Sequence, residues 1–261
     1  MDARHALVRR PSPRLAAGLV THIERSDDVD VDRALAQWLA YVDALRDAGW
    51  TTHEVAAADD CPDSVFVEDT MVVYDDLAVI SRPGALERRP ETAAAEDAVR
   101  AQGYRTARIE APGTLDGGDV LKHGGTVWVG RGGRTNDEGI AQLRAHLEPL
   151  GAEVVAVPLT KVLHLKSAVT ALPDGTVVGY EPLVDDTGVW GDRFLDVPEE
   201  AGSHVVLLGD DTLLMSTSAP RTAALFEDGG YRVVAVDISE YEKLEGCVTC
   251  LSVRLRGRPE S

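Results

Sequence analysis

Two cysteines near the end of the sequence, Cys247 and Cys250, carry thiols that could act as nucleophiles, redox groups or metal ligands. Their C-x-x-C spacing is typical of a redox motif or of half a zinc site. A redox motif needs a helix to lower the thiol pKa, but residues 251–255 alternate as a strand does. Side chains three residues apart on a strand face opposite sides, so we expect the two sulfurs to diverge. No second pair of Cys or His stands at zinc spacing, so a redox or metal role fits poorly, and two small core residues are the alternative.

A second candidate group is the acidic segment from Asp63 to Asp69, on and just before a predicted strand at 65–74. Odd-numbered positions of a strand share one face, so Asp63 and Asp69 are expected to lie together and Glu68 to face away. Carboxylates at the end of an apolar strand favour a bound cation that neutralises them. A solvated strand end remains the alternative.

Two further segments contain candidate residues, although each also has an ordinary structural explanation. Asp116 lies in a Leu-Asp-Gly-Gly-Asp turn, whose glycines allow the backbone to approach another group closely. The turn lacks the alternating oxygen ligands over twelve residues that a calcium loop requires. His164 stands in an apolar stretch, where a buried imidazole bonded to backbone and a catalytic acid-base group are both consistent with the sequence.

Alternating hairpins, helices and strands must position these side chains, which indicates an α/β fold. Hairpin turns are predicted at Asp75-Asp76, Gly124-Gly125 and 173–175. Predicted helices cover 31–50, the stretch that begins near Pro90, 136–150 and the stretch that begins at Pro220. Further predicted strands cover 107–110, 154–157, 205–208, 212–215, 233–236 and 248–255.

The hairpin strands recur along the chain. Comparable strands begin near Ala78, Val127 and Val177, roughly 50 residues apart, a period that indicates a repeat architecture. The final strand is expected to pair with an opening strand near residues 6–9 and so close a ring. Residues 11–28 form a polar segment too long for a simple connection, and we expect it to be an active-site lid.

Composition limits the class of protein. The 261 residues are 44% hydrophobic and 27% charged, as in one globular domain, and we expect residues 1–261 to form a single catalytic domain. With 44 acidic against 26 basic residues, the net charge of −18 repels nucleic acid and anionic membranes. Three cysteines do not make a disulfide framework, and no apolar run suits a signal peptide or a membrane span. We therefore expect a cytoplasmic protein without nucleic-acid or membrane partners.

Six segments together resemble the dimethylarginine dimethylaminohydrolases, a family of the guanidino-modifying (pentein) superfamily that includes arginine deiminases and amidinotransferases. The resemblance runs from about Ala6 to Leu255 and preserves the order and spacing of the segments. These segments are 62–69, 82–89, 110–119, 134–136, 161–166 and 246–250. The resemblance implies a five-bladed α/β propeller, the pentein fold, with the active site in a channel at the centre of the ring.

The same resemblance implies a role for each candidate residue. It selects Cys250, rather than Cys247, as the nucleophile, His164 as the proton-transfer group and Asp116 as the acidic partner of that histidine. The implied substrate-binding residues are Asp69 with Glu68 for the guanidinium nitrogens, Arg88 and Arg134 for the carboxylate, and Asp63 with backbone oxygens near Leu19 and Leu244 for the α-amino group.

The implied reaction hydrolyses asymmetric dimethylarginine or monomethylarginine, a small-molecule substrate, to citrulline and an amine. It passes through a covalent thiouronium on Cys250 and uses neither a metal nor an organic cofactor. The alternatives are an arginine deiminase, which generally carries extra helical insertions, an amidinotransferase, and a non-catalytic pentein that binds cationic amino acids. The sequence leaves the oligomeric state open, a homodimer included.

Overall fold

Short strands form the framework of the molecule, for which a computed structural model describes residues 4–25 and 28–255. The described strands form five sheets of three strands each. In every sheet the middle strand pairs antiparallel with one neighbour and parallel with the other. The strands are β1 Arg4–Val8, β2 Trp50–Glu54, β3 Met71–Tyr74, β4 Leu77–Ile80, β5 Arg105–Arg108, β6 Val120–His123, β7 Thr126–Arg131, β8 Glu153–Pro158, β9 Val169–Ala171, β10 Val177–Gly179, β11 Phe194–Asp196, β12 Val206–Leu207, β13 Thr212–Ser216, β14 Arg232–Val236 and β15 Val253–Leu255.

The five sheets, called blades from this point, follow one another around a ring. Blade 1 contains β15, β1 and β2, and blades 2 to 5 contain β3 to β14 in consecutive threes. Within the described residues, buried apolar side chains form five clusters, each of which joins a different pair of adjacent blades. One strand from each blade (β3, β6, β9, β12 and β15) lines a central cavity of about 490 Å³. The predicted five-bladed α/β propeller is confirmed.

The ring closes where the first and last strands meet. Strand β15 runs antiparallel to β1, with Ala6 opposite Arg254 and Leu7 opposite Val253. This pairing confirms the expectation that the final strand joins the opening one. Blade 1 is therefore assembled from the two ends of the described chain.

Helices connect the middle strand to the parallel outer strand in four of the five blades. In blade 4 this connection contains three short 3-10 turns between residues 181 and 193 instead. None of the described helices combines the length and the apolar character that crossing a membrane requires. The helices are α1 Val31–Asp47, α2 Thr92–Ala101, α3 Asp137–Leu147, α4 Leu165–Ala168, α5 Pro220–Asp228 and α6 Ser239–Glu242.

Local signals in the sequence set the helix ends. The Asp30 side chain accepts hydrogen bonds from two amides of the first turn of α1, and Asn136 caps α3 in the same way, as its position predicts. Helix α1 ends at Asp47 rather than at Trp50, the predicted end. Gly49 has a φ of +84°, a left-handed conformation that ends the helix before β2 begins.

Two predicted strands begin several residues later than expected. The strand predicted at 65–74 begins only at Met71, because residues 67–70 form a 3-10 helix. The strand predicted at 248–255 begins only at Val253, because the residues before it form turns. Both differences matter for function, since each turn carries candidate residues.

Candidate active site

One small cavity gathers most of the residues singled out by the sequence. Its volume is about 20 Å³, which holds about one water molecule. The predicted nucleophile, the predicted proton-transfer group and six predicted substrate-binding residues line it, namely Cys250, His164, Leu19, Asp63, Asp69, Arg88, Arg134 and Leu244. Asp116 lies behind His164, to which it is hydrogen-bonded, and Glu68 lines the central cavity instead.

His164 lies between two buried carboxylates. Its Nε2 is 3.1 Å from Asp116 Oδ2, and its Nδ1 is 3.8 Å from Asp69 Oδ1. Burial by itself lowers the pKa of His164, but the carboxylates of Asp69, Asp116 and Asp119 outweigh it and raise the pKa to about 9. The imidazole therefore carries its second proton at neutral pH and can act as an acid.

The glycines of the 115–119 turn allow these groups to meet. The backbone amide of Gly118 donates to Asp69 Oδ1 at 2.8 Å. A Cβ at Gly118 would lie 2.6 Å from both Asp69 Oδ1 and His164 Nδ1, so a side chain at this position would collide with the site. Burial raises the pKa of Asp69, but the charges of His164 and Arg88 hold it well below the usual range. Asp69 is therefore an anion.

Arg88 is held by several partners within the protein. Its Nη1 donates to Asp69 Oδ2 at 2.5 Å and its Nη2 to Glu91 Oε2 at 2.8 Å. Nη2 also lies 3.2 Å from the carbonyl oxygen of Asp63 and 3.1 Å from that of Phe66. Although burial opposes the charged form, the neighbouring carboxylates raise the pKa of Arg88 well above its usual value.

Arg134 lines the same cavity but has fewer partners than Arg88. Its Nη1 is buried and has no hydrogen-bond partner among the described residues. The nearest carboxylate oxygen, Asp116 Oδ2, is 3.5 Å away. Of the two arginines that the sequence predicts to bind a carboxylate, Arg134 is the one whose Nη1 has no hydrogen-bond partner in the described part of the chain.

Asp63 fixes part of the segment predicted to be a lid. The Leu19 amide donates to both oxygens of Asp63, at 3.1 and 3.2 Å. Burial raises the pKa of Asp63, and the charge of Arg88 and the Leu19 bond partly offset this effect. The predicted lid, 11–28, lies within the described residues except for 26–27.

A second carboxylate, that of Glu245, holds the same segment a few residues further on. Its oxygens accept hydrogen bonds from the amides of Thr21 at 2.8 Å and His22 at 2.5 Å. Glu245 has a φ of +61°, a left-handed conformation that is unfavourable for a residue with a side chain. Two carboxylates that line the cavity thus hold this segment beside it.

Glu68 is turned away from the cavity of Cys250. Lys166 Nζ lies 2.6 Å and Arg254 Nη2 2.9 Å from Glu68 Oε1. The expectation that Glu68 faces away from Asp69 agrees with this placement. The implied contact of Glu68 with the substrate nitrogens is not supported by it.

The two sulfurs of the C-x-x-C segment are in contact, with Cys247 Sγ 3.3 Å from Cys250 Sγ. The expectation that they diverge is wrong, because the segment is a turn: the Cys250 amide donates to the Cys247 carbonyl at 3.1 Å. The hydrogen bond between the sulfurs lowers the pKa of Cys247 to about 5. The same contact, together with burial, raises the pKa of Cys250 well above its usual value. The two sulfurs are therefore placed to share one proton.

Sequence reasoning gave no role to two buried acids that support the site. Asp119 accepts from the Leu165 amide at 3.1 Å and from Thr135 Oγ1 at 2.6 Å, and so fixes the backbone beside His164. Burial raises the pKa of Asp119 to about 7. Glu91 holds Arg88. The only sequence signal for Asp119 was its place at the end of the glycine turn.

Asp69, Asp116 and His164 offer ligand atoms that all lie within 4.8 Å of one another, a spacing that could hold a metal ion. Cationic groups already occupy this space. Arg88 lies against Asp69, and Arg134 lies 3.5 Å from Asp116. The group is better described as a network of ion pairs than as a metal centre.

Comparisons with known proteins agree with this geometry. No family model matches the chain. It is 65% identical over 256 residues to an N(G),N(G)-dimethylarginine dimethylaminohydrolase of Streptomyces coelicolor, across 98% of each protein. It is 35% identical over 254 residues to the protein of the same name from Pseudomonas aeruginosa, across 96% of this chain and 99% of the relative.

Solved structures give the same result. A crystal structure of a dimethylarginine dimethylaminohydrolase variant as an adduct with S-methyl-L-thiocitrulline matches with a TM-score of 0.90 and 34% identity, covering 97% of this chain and all (100%) of the other. A variant from Pseudomonas aeruginosa complexed with citrulline matches with a TM-score of 0.88 and 33% identity, covering 98% and 100%. The fold is therefore the pentein fold.

Proposed function

Because this chain belongs to the dimethylarginine dimethylaminohydrolase family, we propose that it hydrolyses Nω-methylated arginine to citrulline. The substrates are asymmetric dimethylarginine and monomethylarginine, and the amine released is dimethylamine or methylamine. The observation that carries the proposal is the shared cavity of Cys250, a protonated His164 and the Asp69 anion. Together they supply a nucleophile, an acid and a guanidinium-binding group.

The substrate binds through its two charged ends. Asp69 holds the guanidinium nitrogens, since a carboxylate forms strong charge-assisted hydrogen bonds with this cation. Arg134, with its free Nη1, and Arg88 bind the carboxylate. Asp63 and backbone oxygens near Leu19 and Leu244 receive the α-amino group.

The first chemical step is attack on the guanidinium carbon. A guanidinium is a poor electrophile, so a thiolate must be held against its central carbon. The positive charge of the substrate lowers the pKa of the nearby Cys250 thiol and favours its thiolate. His164 donates its proton to the departing amine. A thiouronium remains bonded to Cys250.

Hydrolysis of this intermediate completes the cycle. After giving up its proton, His164 is a neutral base, which takes a proton from the attacking water. Asp116, 3.1 Å from Nε2, holds the ring in position and favours its protonated form. The bond between carbon and the Cys250 sulfur then breaks, and citrulline leaves. Neither a metal nor an organic cofactor has a part in this scheme.

Access requires movement of residues 11–28, the proposed lid. A cavity of about 20 Å³ has no room for an amino acid. The bonds of Leu19 to Asp63 and of Thr21 and His22 to Glu245 must therefore open when the substrate enters. Asp63 is then free to bind the substrate's α-amino group.

The proposal also covers the localisation, the domain organisation and the oligomeric state of the protein. We place the protein in the cytoplasm, as a single catalytic domain whose partner is a small molecule rather than nucleic acid or a membrane. A homodimer is the assembly that the sequence leaves open. Light scattering tests it, because a dimer doubles the chain mass of 28.0 kDa.

A direct assay tests the proposed function. Purified protein is incubated with arginine, monomethylarginine and asymmetric dimethylarginine, and citrulline and the released amine are measured. We expect citrulline from the methylated substrates, with an equal amount of methylamine or dimethylamine. Citrulline and ammonia mainly from arginine would identify a deiminase instead, and binding without citrulline would identify a non-catalytic binder.

A further inference from the structure

A second thiol lies directly behind the proposed nucleophile. Cys250 lines the site cavity, whereas Cys247 is buried, does not line it, and has its sulfur 3.3 Å from that of Cys250. Cys247 has no role in the proposed hydrolysis. The third cysteine, Cys61, is also buried and is free.

The backbone between the two cysteines has the shape that a disulfide needs. The Cys250 amide donates to the Cys247 carbonyl, which closes a tight turn, and such turns hold the first and fourth Cα atoms less than about 7 Å apart. Disulfides require Cα atoms within about the same limit. The sulfurs need only move from contact distance to bonding distance, roughly 2.05 Å.

We infer that Cys247 is a resolving cysteine, which forms a reversible disulfide with Cys250 when the protein meets a peroxide. The bond formation is independent of the proposed hydrolase activity, whereas its effect on turnover rests on that function. Oxidation removes the nucleophile and stops turnover. It also keeps Cys250 from irreversible oxidation, and reduction by a dithiol restores it.

The chemistry balances with hydrogen peroxide as the oxidant. The pair holds one proton, so one sulfur can be a thiolate while the other keeps its hydrogen. The shared proton first passes from Cys250 to Cys247 across the 3.3 Å contact, which leaves Cys250 as the thiolate and Cys247 as the thiol. The Cys250 thiolate attacks a peroxide oxygen, the O–O bond breaks, hydroxide leaves, and Cys250 becomes a sulfenic acid. The Cys247 thiol loses its proton to that hydroxide and attacks the Cys250 sulfur, and the S–O bond breaks. The net products are one disulfide, one water and one hydroxide, with two electrons passed from the sulfurs to the peroxide.

The surroundings of the two sulfurs favour this order of events. Peroxide is much smaller than an amino acid, so any opening that admits the substrate also admits peroxide to Cys250. Cys247 is shielded from the cavity and contacts Thr249 Oγ1 at 3.2 Å. The low pKa of Cys247 supports its part as the attacking thiolate of the second step.

The experiment measures the oxidation state of the cysteines rather than the rate of citrulline formation. The parent protein is exposed to hydrogen peroxide, unfolded, alkylated and digested. The mass of the peptide that contains residues 247–250 is then measured by mass spectrometry. We expect this peptide to lose two hydrogen atoms and to take up no alkylating group, while Cys61 is alkylated. Treatment with dithiothreitol before alkylation should restore both alkylation sites and most of the citrulline-forming activity.

Two variants complete the experiment, each compared with its own untreated sample. In Cys247→Ser, peroxide should add two oxygen atoms to Cys250, and dithiothreitol should not recover the activity. Cys61→Ser should behave as the parent does. A parent protein that gains oxygen on Cys250 without forming the disulfide would overturn the inference, even if Cys247→Ser failed to fold. Equal recovery of the parent and Cys247→Ser would overturn it as well.

Discussion

Glu68 and Asp69 are neighbours in the chain but lie in different surroundings at the centre of the ring. Glu68 lines the cavity of about 490 Å³, where Lys166 and Arg254 both contact its Oε1. Asp69 lines the cavity of about 20 Å³ beside Cys250. The 3-10 helix at 67–70 separates them, because its three residues per turn rotate successive side chains by about 120°.

The two surroundings differ in charge balance. On the side of Glu68, two cations, Lys166 and Arg254, meet one carboxylate, so positive charge is in excess. On the side of Cys250, carboxylates outnumber cations: the carboxylates are Asp63, Asp69, Glu91, Asp116, Asp119 and Glu245, and the cations are Arg88, Arg134 and His164. An excess of carboxylates suits a site that receives a guanidinium. We therefore propose that Glu68 stabilises the ring, whereas Asp69 binds the substrate.

The largest expected effect concerns the nucleophile. Replacing Cys250 by Ser should abolish turnover, because a hydroxyl cannot supply the thiolate that attacks a guanidinium. Cys247→Ser is the matched control and should keep most of the turnover in reducing buffer. Steady-state citrulline formation measures both. A dead Cys247→Ser variant beside an active Cys250→Ser variant would reverse the assignment.

Loss of His164 should affect the two chemical steps unequally. An S-alkylthiocitrulline expels a thiol that needs little protonation, so His164→Ala can complete the first step but lacks the base for the second. We expect release of about one thiol per site, after which the reaction stops. Mass spectrometry of acid-quenched protein should find the adduct on the peptide with Cys250. Continuous turnover without an adduct would remove His164 from the mechanism.

The two arginines should respond differently. Arg134→Ala removes a charge-assisted hydrogen bond to the substrate carboxylate, worth about 1.5–3 kcal/mol. The KM for the free amino acid should therefore rise, whereas the stability of the fold should change little. Arg88→Ala leaves Asp69 and Glu91 without their buried partner and should also destabilise the fold, by about 3–5 kcal/mol. Denaturant unfolding and KM, measured for both variants, test the difference. A substrate analogue without the carboxylate should lose little further activity on Arg134→Ala.

Loss of the proton on His164 should set the highest pH at which the enzyme is active. With a pKa of about 9, His164 is protonated below that pH and loses its proton above it. The first step should therefore slow as pH rises past about 9, by roughly tenfold per pH unit. An S-alkylthiocitrulline should show a weaker decline, because its leaving group needs less acid. The same decline for both substrates would point to a different titrating group.

The smallest effect on catalysis is expected from replacing Glu68, which faces the central cavity rather than the cavity of Cys250. Glu68→Gln leaves Lys166 and Arg254 without a carboxylate in a buried position, so the melting temperature should fall. The kcat/KM for dimethylarginine should change little, since Glu68 does not line the cavity of Cys250. Asp69→Asn serves as the neighbouring control and should lose most of its activity. Equal losses of activity in the two variants would refute the division drawn between these residues.

Sequence alone predicted the features that depend on local signals. Gly124-Gly125 marked the hairpin between β6 and β7, and Asn136 marked the start of α3. The turn before β15 was not predictable, because residues 251–255 alternate as a strand does. The Cys250 carbonyl accepts from the Glu68 amide, a contact between distant parts of the chain. No local pattern contains such a contact.

The same limit applies to the site. The residue types indicated a nucleophile and an acid-base group, but only the family resemblance chose Cys250 over Cys247. Neither the residue types nor the family resemblance predicted that Arg88 and Arg134 would differ in their partners. Their difference depends on Glu91 and on backbone carbonyls near Arg88, which are set by tertiary packing.

The pairing of β1 with β15 has a consequence for synthesis of the protein on the ribosome. Cys250 lies just before β15, and β15 pairs with β1, with Leu255 opposite His5. Strand β1 leaves the ribosome long before its partner is made, and such a long-range pairing slows folding. The proposed nucleophile therefore reaches its place only when the ring is closed, so nascent chains that lack β15 are expected to be inactive.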